Sequence, residues 1–469
     1  MILLIVIFLV PILIGGLVVH LLWPERDFKI LIFKAFLGIG IGLGLSSLLY
    51  FLYLLPFAGQ HWFIFVQLTI FLTLLALTIW KERKQAWPPL PRWNLTRTQT
   101  ILSALALIVF SISLASTASY LLRRKQGDWD AWMMFNRAAR FVYRDQAHWL
   151  ESFSRQMDPI FHADYPLLLA MNTASGWDAL GMETPRVPMI QSALFAIACL
   201  GLAVSALASI KSTSQAALGL IILWGTPALV DEGSRELADV PLAFYILATG
   251  ILIYLFVIHR KPALIALAGL TAGLAAWTKN EGSLFVIAVG IALAVAFFKQ
   301  KPFRILSLYG LGLAFPFTIV LYFKLFLAPP SDVLSNGATR SLQQILNPAR
   351  HLEVLKFFWD QFIHFGNWTG VSLVIGIIPI LLVYFLLFRA PINKERLPFY
   401  YAGITILVIQ AFGDYAVYLI TPYDLTWHLT YSATRIVLQV FPLITFLILS
   451  ASQTPETVFS NERLVKQSA

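Results

Sequence analysis

The chain has 469 residues, of which 58% are apolar and only 12% are charged, and its net charge is +10. A soluble globular protein carries about 25% charged residues, so the composition excludes a soluble domain with an ordinary solvated surface. Helices in lipid need apolar side chains on every face, and the mean hydropathy of +0.75 fits that environment. Basic residues are spread among short segments between apolar runs, which disfavours nucleic acid as a partner. The single cysteine, Cys199, excludes a disulfide framework or a cysteine-based metal site.

The apolar runs predict an all-α, polytopic bundle of about 13 transmembrane helices. Runs long enough to span a bilayer lie near 2–22, 30–55, 62–80, 100–121, 187–209, 214–230, 241–258, 262–278, 283–298, 304–327, 369–388, 399–420 and 434–451. The run at 214–230 is the shortest and gives the weakest prediction. The first run lacks the basic segment and the cleavage site of a signal peptide, so it is expected to be retained as a helix.

Lysine and arginine residues in short loops predict the orientation of the bundle. Four basic segments fall on one side, which is expected to be cytoplasmic: 81–99, 259–262, 299–304 and 389–397. The opposite side then holds the outer loops: 122–185, 231–240, 279–282, 328–368 and 421–433. Of the 24 acidic residues, six fall on the cytoplasmic side and 18 lie outside or at the outer interface. Orientation does not require such a partition, so we infer that the outer face uses carboxylates.

The first outer loop opens with Gly127-Asp128-Trp129-Asp130-Ala131-Trp132 and continues as a predicted interfacial helix through Arg144. At 100° per residue, four side chains share one face of that helix: Asp130, Met134, Arg137 and Arg144. A carboxylate beside arginines suits a ligand with a hydroxyl and a phosphate, whereas an interfacial anchor is the structural alternative. Asp128 and Asp130 also match an Asp-x-Asp metal pattern, but three residues are too few to be specific.

The same loop ends with His162-Ala163-Asp164-Tyr165-Pro166, which predicts a second interfacial helix beginning at Pro166. His162, Asp164 and Tyr165 then lie at its positive N-terminal end, where an anion is favoured. Asp164 acting as an ordinary helix cap is the alternative interpretation.

The two short outer loops supply further charged candidates. Segment 231–240 holds four acids in nine residues; Asp239 can cap the helix that Pro241 begins, whereas Glu236 has no such structural explanation. Segment 279–282 places Lys279, a point charge suited to phosphate, beside Glu281. A lysine that extends along the helix end to the interface is the alternative for Lys279.

The last outer loop contributes His428 and Arg435, which are seven residues apart and lie on one face of a continuous helix. A histidine near a membrane interface serves either as a hydrogen-bonded structural residue or as part of a site. Since the other outer loops already supply Asp130, Glu236 and Lys279, both residues are treated as candidates for substrate binding.

Four motifs occur in a fixed order on the predicted outer side: Gly127-Asp128-Trp129-Asp130-Ala131-Trp132, His162-Ala163-Asp164-Tyr165-Pro166-Leu167, Glu236-Leu237-Ala238-Asp239-Val240-Pro241 and Thr278-Lys279-Asn280-Glu281-Gly282. This order resembles the GT-C superfamily of polyprenyl-phosphate-sugar-dependent glycosyltransferases, above all the bacterial relatives of protein O-mannosyltransferases and lipid A aminoarabinose transferase. The resemblance covers about residues 99–330, with weaker support from Trp427-His428-Leu429.

The resemblance divides the chain into three parts. Residues 1–98 form three helices ahead of the core, 99–330 form the catalytic membrane core, and 331–469 hold the second long loop and the closing helices. Two departures from the family pattern are the three preceding helices and the absence of a soluble outer domain after the last run. The second departure favours transfer of a single sugar over transfer of a whole glycan.

The resemblance implies an enzyme of the bacterial inner membrane whose site faces outward. It would transfer a sugar from a polyprenyl phosphate to an acceptor hydroxyl on a lipid, glycan or protein. The transfer would invert the anomeric centre. Asp130 is expected to act as general base, Glu236 or Asp239 to position substrates, and Lys279 with Arg137 or Arg435 to neutralise the phosphate. No cofactor is required by the resemblance, and a divalent metal is allowed but not implied. The alternatives are a flippase or transporter, disfavoured because the spans are nearly free of charge, and a membrane scaffold without a deep cavity beneath Asp130.

Overall fold

The fold is built entirely from helices within the residues that the computed structural model describes, which are 2–85, 94–154, 162–332, 337–367, 375–391 and 393–459. One isolated bridge between Arg389 and Ser452 is the only extended pairing in these ranges. The prediction of an all-α chain is therefore confirmed.

The helices of the first half follow in chain order as α1 Ile2–Leu22, α2 Phe28–Phe57, α3 Phe63–Glu82, α4 Arg97–Arg123, α5 Asn136–Arg144, α6 Leu168–Leu180, α7 Arg186–Ile210, α8 Thr213–Trp224 and α9 Pro227–Glu232. Those of the second half are α10 Asp239–His259, α11 Pro262–Thr278, α12 Asn280–Ala296, α13 Pro302–Tyr322, α14 Ala338–Ile345, α15 Pro348–His364, α16 Ile377–Phe388, α17 Leu397–Ile420 and α18 Leu425–Ala451. Short π-helical turns, Ala131–Phe135 and Phe323–Leu327, precede α5 and follow α13.

Helix starts follow local sequence signals. Asp27, Ser212 and Asp424 each cap a helix by accepting a hydrogen bond from a backbone N–H in its first turn. Thr96 and Gln99 form a reciprocal capping box at the start of α4. Proline occupies the first turn of α9, α11, α13, α15 and α17, where its missing N–H leaves no hydrogen bond unmade.

Nine helices of the described residues are long and apolar enough to cross a membrane, so the chain is a multi-pass membrane protein. They are α1, α2, α3, α4, α7, α10, α13 with its following turn, α17 with the turn before it, and α18. Four shorter apolar helices, α8, α11, α12 and α16, lie at the four remaining predicted spans. The count of about 13 spans stays a prediction, as do the cellular membrane and the orientation within it.

One of the predicted spans is interrupted, and one predicted outer loop contains helices. The run at 214–230 breaks at Gly225 and Thr226 into α8 and α9. The predicted outer loop 328–368 contains α15, which packs along α18 as far as the contact between Phe365 and Phe441, whose ring centroids are 5.1 Å apart. The outer side predicted for this segment stays a prediction; the structure adds that the segment contains helices, of which α15 packs on α18.

Helix α10 forms the centre of the bundle, since 94% of its most apolar stretch is buried. The buried share of the corresponding stretch is 67% for α2, 11% for α3 and 17% for α4. Helices α3 and α4 therefore leave most of their surface for lipid. Close packing of α1 on α2 depends on small residues: a Cβ added at Gly15 would lie 2.1 Å from the carbonyl oxygen of Gly38. Helices α1 and α2 belong to the same hydrophobic core as α7, α10 and α11.

The loops predicted on one side meet at one end of the bundle, where α4 and α17 finish and α10 and α18 begin; we call it the loop end. Contacts between segments predicted for the other side meet at the opposite end, where Lys261 pairs with Glu25 and the Ser214 hydroxyl donates to Glu456. Two of the acids counted above lie outside the described residues: Asp158 and Glu462.

Candidate functional site

Asp239 is the central residue of a charge cluster at the loop end. Its side chain is completely buried, and Oδ1 accepts hydrogen bonds from Lys279 Nζ at 2.9 Å and from Gln439 Nε2 at 2.7 Å. Oδ2 accepts from Arg435 Nε at 2.9 Å. Asp239 was predicted as a possible cap of α10, but α10 begins at Asp239 itself and no side-chain cap is formed. The carboxylate instead joins α10, α18 and the α11–α12 turn.

Arg435 connects this cluster to Asp130 in the first outer loop. Its guanidinium Nη1 donates to Asp130 Oδ2 at 2.6 Å while the same side chain holds Asp239. The Asp130 side chain is 29% exposed, whereas that of Arg435 is 16% exposed. Within the described part of the chain, Arg435 is the ion-pair partner of Asp130, so the cluster holds one carboxylate at the edge of solvent.

Lys279 is enclosed by carboxylates. It is 6% exposed and pairs with Asp239 and, at 2.9 Å, with Glu281. Two carboxylates already balance its charge, and little of its surface is open to a phosphate. The prediction that Lys279 contacts a phosphate stays untested, and its surroundings favour a role in holding Asp239.

A second cluster joins Asp164 to the same α11–α12 turn. Asp164 is 2% exposed, and its Oδ2 accepts from Asn280 Nδ2 at 2.8 Å. Lys324, in the π-helical turn after α13, donates to Asn280 Oδ1 at 2.6 Å and lies 3.5 Å from Asp164 Oδ2. The alternative of a helix cap is wrong for Asp164, because α6 begins at Leu168 without a side-chain cap.

His162 pairs with an acid from the second long loop. Its Nδ1 lies 3.1 Å from Asp332 Oδ2, and the Tyr423 hydroxyl donates to the same oxygen at 2.5 Å. Burial favours the neutral imidazole, but the hydrogen bond and charge of Asp332 outweigh it and raise the pKa of His162. The ring of Tyr165 packs on His162, with centroids 4.9 Å apart.

A small, mostly apolar cavity lies between the two halves of the first outer loop. Its polar lining comes from Arg137, His162, Tyr165 and Ser152. The centre of a water molecule can move through about 20 Å³ of it, which is the space of one or two waters. Burial lowers the pKa of Arg137 to about 10, so it is charged at neutral pH. Its Nε donates to the Met133 carbonyl at 2.9 Å.

The predicted row of Asp130, Met134, Arg137 and Arg144 along one face is only partly present. Met134 and Arg137 line the cavity, while Asp130 contacts Arg435 and Arg144 pairs with Glu183. The reason is the π-helical turn Ala131–Phe135, which inserts extra backbone between Asp130 and the arginines and shifts their relative directions.

Asp128 and Asp130 point to different arginines. Asp128 Oδ2 lies 3.1 Å from Arg235, and its backbone N–H donates to the Arg235 carbonyl. Asp130 binds Arg435 instead. No group of three His, Cys, Asp or Glu residues within the described ranges could hold a metal ion. The question of a metal is not tested by these contacts.

Glu236 is buried beside the first outer loop rather than facing Asp130. It is 4% exposed, its Oε2 accepts from Asn136 Nδ2 at 3.0 Å, and its Oε1 has no hydrogen-bond partner among the described residues. Burial raises the pKa of Glu236 to about 8, with the Asn136 hydrogen bond and the Arg140 charge opposing the shift. Its φ of 60° is in the left-handed region, which costs a residue with a Cβ about 1 kcal/mol or more.

Replacing Glu236 by glutamine is expected to flatten the pH dependence of stability. The pKa of the Glu236 carboxyl is 4.5 in the unfolded chain and about 8 in the folded protein. Because the unfolded chain releases this proton first, the stability of the wild-type protein falls as the pH rises between these two values. Glutamine keeps the neutral shape, and the variant should be more stable by on the order of a few kcal/mol at pH 8 but not at pH 4. Unfolding of the purified protein in detergent at several pH values measures this; parallel pH profiles would mean that Glu236 is charged in the fold.

His428 and Arg435 lie on the same continuous helix, as predicted, but they serve different contacts. His428 Nδ1 lies 2.9 Å from Thr421 Oγ1, and its ring packs against Tyr418 and Tyr423. No contact joins His428 to Asp130 or Arg435 in the described residues. These contacts favour the alternative in which His428 is a hydrogen-bonded structural residue.

Several residues of the site were not among the predicted candidates. Gln439, Asn280, Lys324, Asn136 and Asp332 each contact a predicted site residue. The available signal was a single polar residue within an apolar helix, at Gln439 and Lys324, because such a residue is costly in a bilayer unless it has a partner.

The chain was compared with known proteins. No family model, curated protein or solved structure matches it. A proposal for its function therefore depends on the contacts of its own residues and on the motif order described above.

Proposed function

We propose that the chain is a membrane glycosyltransferase that moves a single sugar from a polyprenyl-phosphate donor to an acceptor hydroxyl at the loop end. The observation that supports it most is Asp130, a part-exposed carboxylate fixed by the buried cluster of Arg435, Asp239 and Lys279. A base fixed in direction but open to solvent is what proton removal from an acceptor hydroxyl requires. We further propose that this end faces the outside of a bacterial inner membrane.

In the proposed reaction, the acceptor oxygen attacks the anomeric carbon and its proton passes to Asp130. The bond between the anomeric carbon and the phosphate oxygen breaks, and polyprenyl phosphate leaves with the electron pair. Attack opposite the leaving group inverts the anomeric centre. Asp239 acts through Arg435, which it holds in place, and not by touching the substrate.

Arg137 is the best-placed cation for the phosphate of the donor. It lines the cavity with His162, whose ring is itself paired with Asp332. Arg137 lines this cavity, whereas Arg435 and Lys279 lie in the Asp239 cluster and are not among the residues that line it. Stabilisation of charge on the leaving group is usually the largest catalytic term. Because the cavity holds one or two waters, sugar binding requires the surrounding loops to move apart.

A lipid-linked sugar flippase or transporter is the second candidate, and the interrupted span at 214–230 favours it. The break between α8 and α9 meets the end of α15: a Cβ added at Gly366 would lie 2.9 Å from Thr226 Cγ2. The backbone N–H groups of Gly376 and Ile377 donate back to the carbonyls of Ile363 and Phe365. Transporters often place broken helices at their binding sites, and the break between α8 and α9 is of this kind.

Reconstitution of the purified protein in liposomes with a panel of polyprenyl-phosphate hexoses and pentoses separates these functions. A transferase with a lipid, glycan or peptide acceptor releases polyprenyl phosphate, whereas a flippase moves the headgroup across the bilayer with its sugar linkage intact. We expect acceptor-dependent release with at least one donor. Headgroup translocation without release would replace the proposal by the flippase. A small cavity is also what a scaffold would have, and neither release nor translocation with any donor would favour that class.

A further inference from the structure

Gln410 is a buried amide without partners inside a membrane span. It lies in α17, is 1% exposed, and neither its Nε2 nor its Oε1 has a hydrogen-bond partner among the described residues. Each unmade hydrogen bond of a buried polar group costs about 1–3 kcal/mol. A polar side chain within a span is therefore a candidate for function.

Asp414 lies one helical turn further along the same face. It is 5% exposed, and it has no hydrogen bond or ion pair with any residue that the structure describes. The charges that act on it are those of Glu281 and Lys279. Two buried polar side chains thus share one face of α17 beside the charged cluster.

The position of this face follows from the packing of α17. A Cβ added at Gly413 would touch the Leu284 side chain of α12, and one at Gly403 would touch Leu447 of α18. Asp414 and Gln410 lie about 9 and 15 Å along α17 from its end at Ile420, using 1.5 Å per residue. Arg435 lies about 15 Å along α18 from its start, so the pair is at a similar depth to the Asp239 cluster.

The chemistry of the pair restricts what it could bind. A glutamine amide offers two donors and an acceptor, and the carboxyl group of Asp414 also accepts. A metal ion would leave the amide N–H groups unsatisfied, and a lipid tail would satisfy neither residue. A hydroxyl both donates and accepts, so it can satisfy Gln410 and Asp414 together.

We propose that Gln410 and Asp414 form a hydroxyl-binding subsite for a sugar on this face of α17. The inference rests on the proposed function, since that function supplies a sugar at this depth of the bundle. The hydroxyl belongs to the donor sugar or to a sugar acceptor, and the experiment distinguishes these sources. Sugar binding would satisfy the amide that the ligand-free protein leaves without partners.

The first test needs no turnover. Gln410→Met removes the amide at similar volume, and it should raise the melting temperature of the ligand-free protein by about 1–3 °C. Gln67→Met is the matched control: Gln67 is also buried in a span, but its Nε2 donates to Ser46 Oγ at 2.7 Å, so loss of that bond should lower the melting temperature. A melting temperature that falls for Gln410→Met as well would show an amide held by structural water and overturn the subsite.

The second test uses donors and acceptors that each lack one hydroxyl. The wild-type protein should discriminate against one deoxy analogue by at least about tenfold in kcat/KM, and Gln410→Leu should abolish that discrimination. If Gln410→Leu loses discrimination only against deoxy donors, the hydroxyl belongs to the donor. If it loses discrimination only against deoxy acceptors, the hydroxyl belongs to the acceptor. Unchanged discrimination in Gln410→Leu overturns the subsite.

Failure of the proposed function is distinguishable from failure of the subsite. If no donor is turned over by the wild-type protein, the glycosyltransferase proposal fails. Saturable stabilisation by methyl hexosides in lipid nanodiscs then tests the subsite alone. Stabilisation of the wild-type protein but not of Gln410→Leu supports sugar binding, and equal responses of the two proteins overturn it.

Discussion

Replacing Asp130 by asparagine is expected to lower kcat for sugar transfer by about 10²–10⁴-fold, the usual contribution of a general base. Asparagine has nearly the same volume, and its amide oxygen can still accept the hydrogen bond that Arg435 Nη1 makes to Asp130 Oδ2. The loop geometry should therefore persist while the proton acceptor is lost. The measurement is the initial rate of polyprenyl phosphate release from a donor that the wild-type protein uses.

Asp145→Asn is the matched control for this change. Asp145 lies in the same outer loop, its side chain is 61% exposed, and it pairs with His148 rather than with the cluster. Its replacement should leave kcat and KM unchanged. If Asp130→Asn transfers sugar at the wild-type rate, Asp130 is not the base. A change in KM alone would assign Asp130 to substrate binding.

The helices could be predicted from the sequence because burial in lipid is a strong and local signal. A long apolar run, such as the 21 residues at 2–22, leaves few alternatives to a helix. The breaks were harder to predict, because Gly225 and Thr226 interrupt an otherwise apolar run and glycine is common within membrane helices. Helix α15 was assigned to an outer loop because its charged residues reduce its hydropathy, although its apolar face packs on α18.

Which loops meet could be predicted, but the pairing of their side chains could not. The common side of Asp130, Asp239, Lys279 and Arg435 followed from counting spans, and the structure places them in one cluster. Each pair joins residues far apart in the chain; Asp130 and Arg435, for example, are separated by 305 positions. Partner choice at that separation depends on helix packing and rotation, which periodicity does not give.

Lys279 illustrates how pairing changes a role inferred from residue type. A lysine at the mouth of two helices suits a phosphate when its surroundings are unknown. In the fold, two carboxylates already neutralise it. Arg137, which a straight helix placed in line with Asp130, instead lines the cavity because of the π-helical turn before it. Of the three cations expected to neutralise the phosphate, Arg137 in α5 is therefore the one kept in the proposal.

Replacing Asp239 by alanine is expected to destabilise the protein by about 3–5 kcal/mol, the usual cost of removing one partner from a buried ion pair. Asp239 is completely buried between Arg435 and Lys279, and its loss brings two cations together without the anion that separates them. Activity should fall as well, because Arg435 then loses the contact that directs it towards Asp130. Unfolding by SDS titration in mixed micelles measures the change in free energy.

The matched control is Asp231→Ala, in the same segment of chain. Asp231 pairs with Arg124 and Arg235, but its side chain is 31% exposed, and a pair of that kind contributes about 0–1 kcal/mol. A much larger loss for Asp239→Ala than for Asp231→Ala is the expected result, since water can replace the partner of an exposed arginine but not that of a buried one. Equal and small losses would mean that water enters the cluster and that Arg435 does not depend on Asp239 for its position.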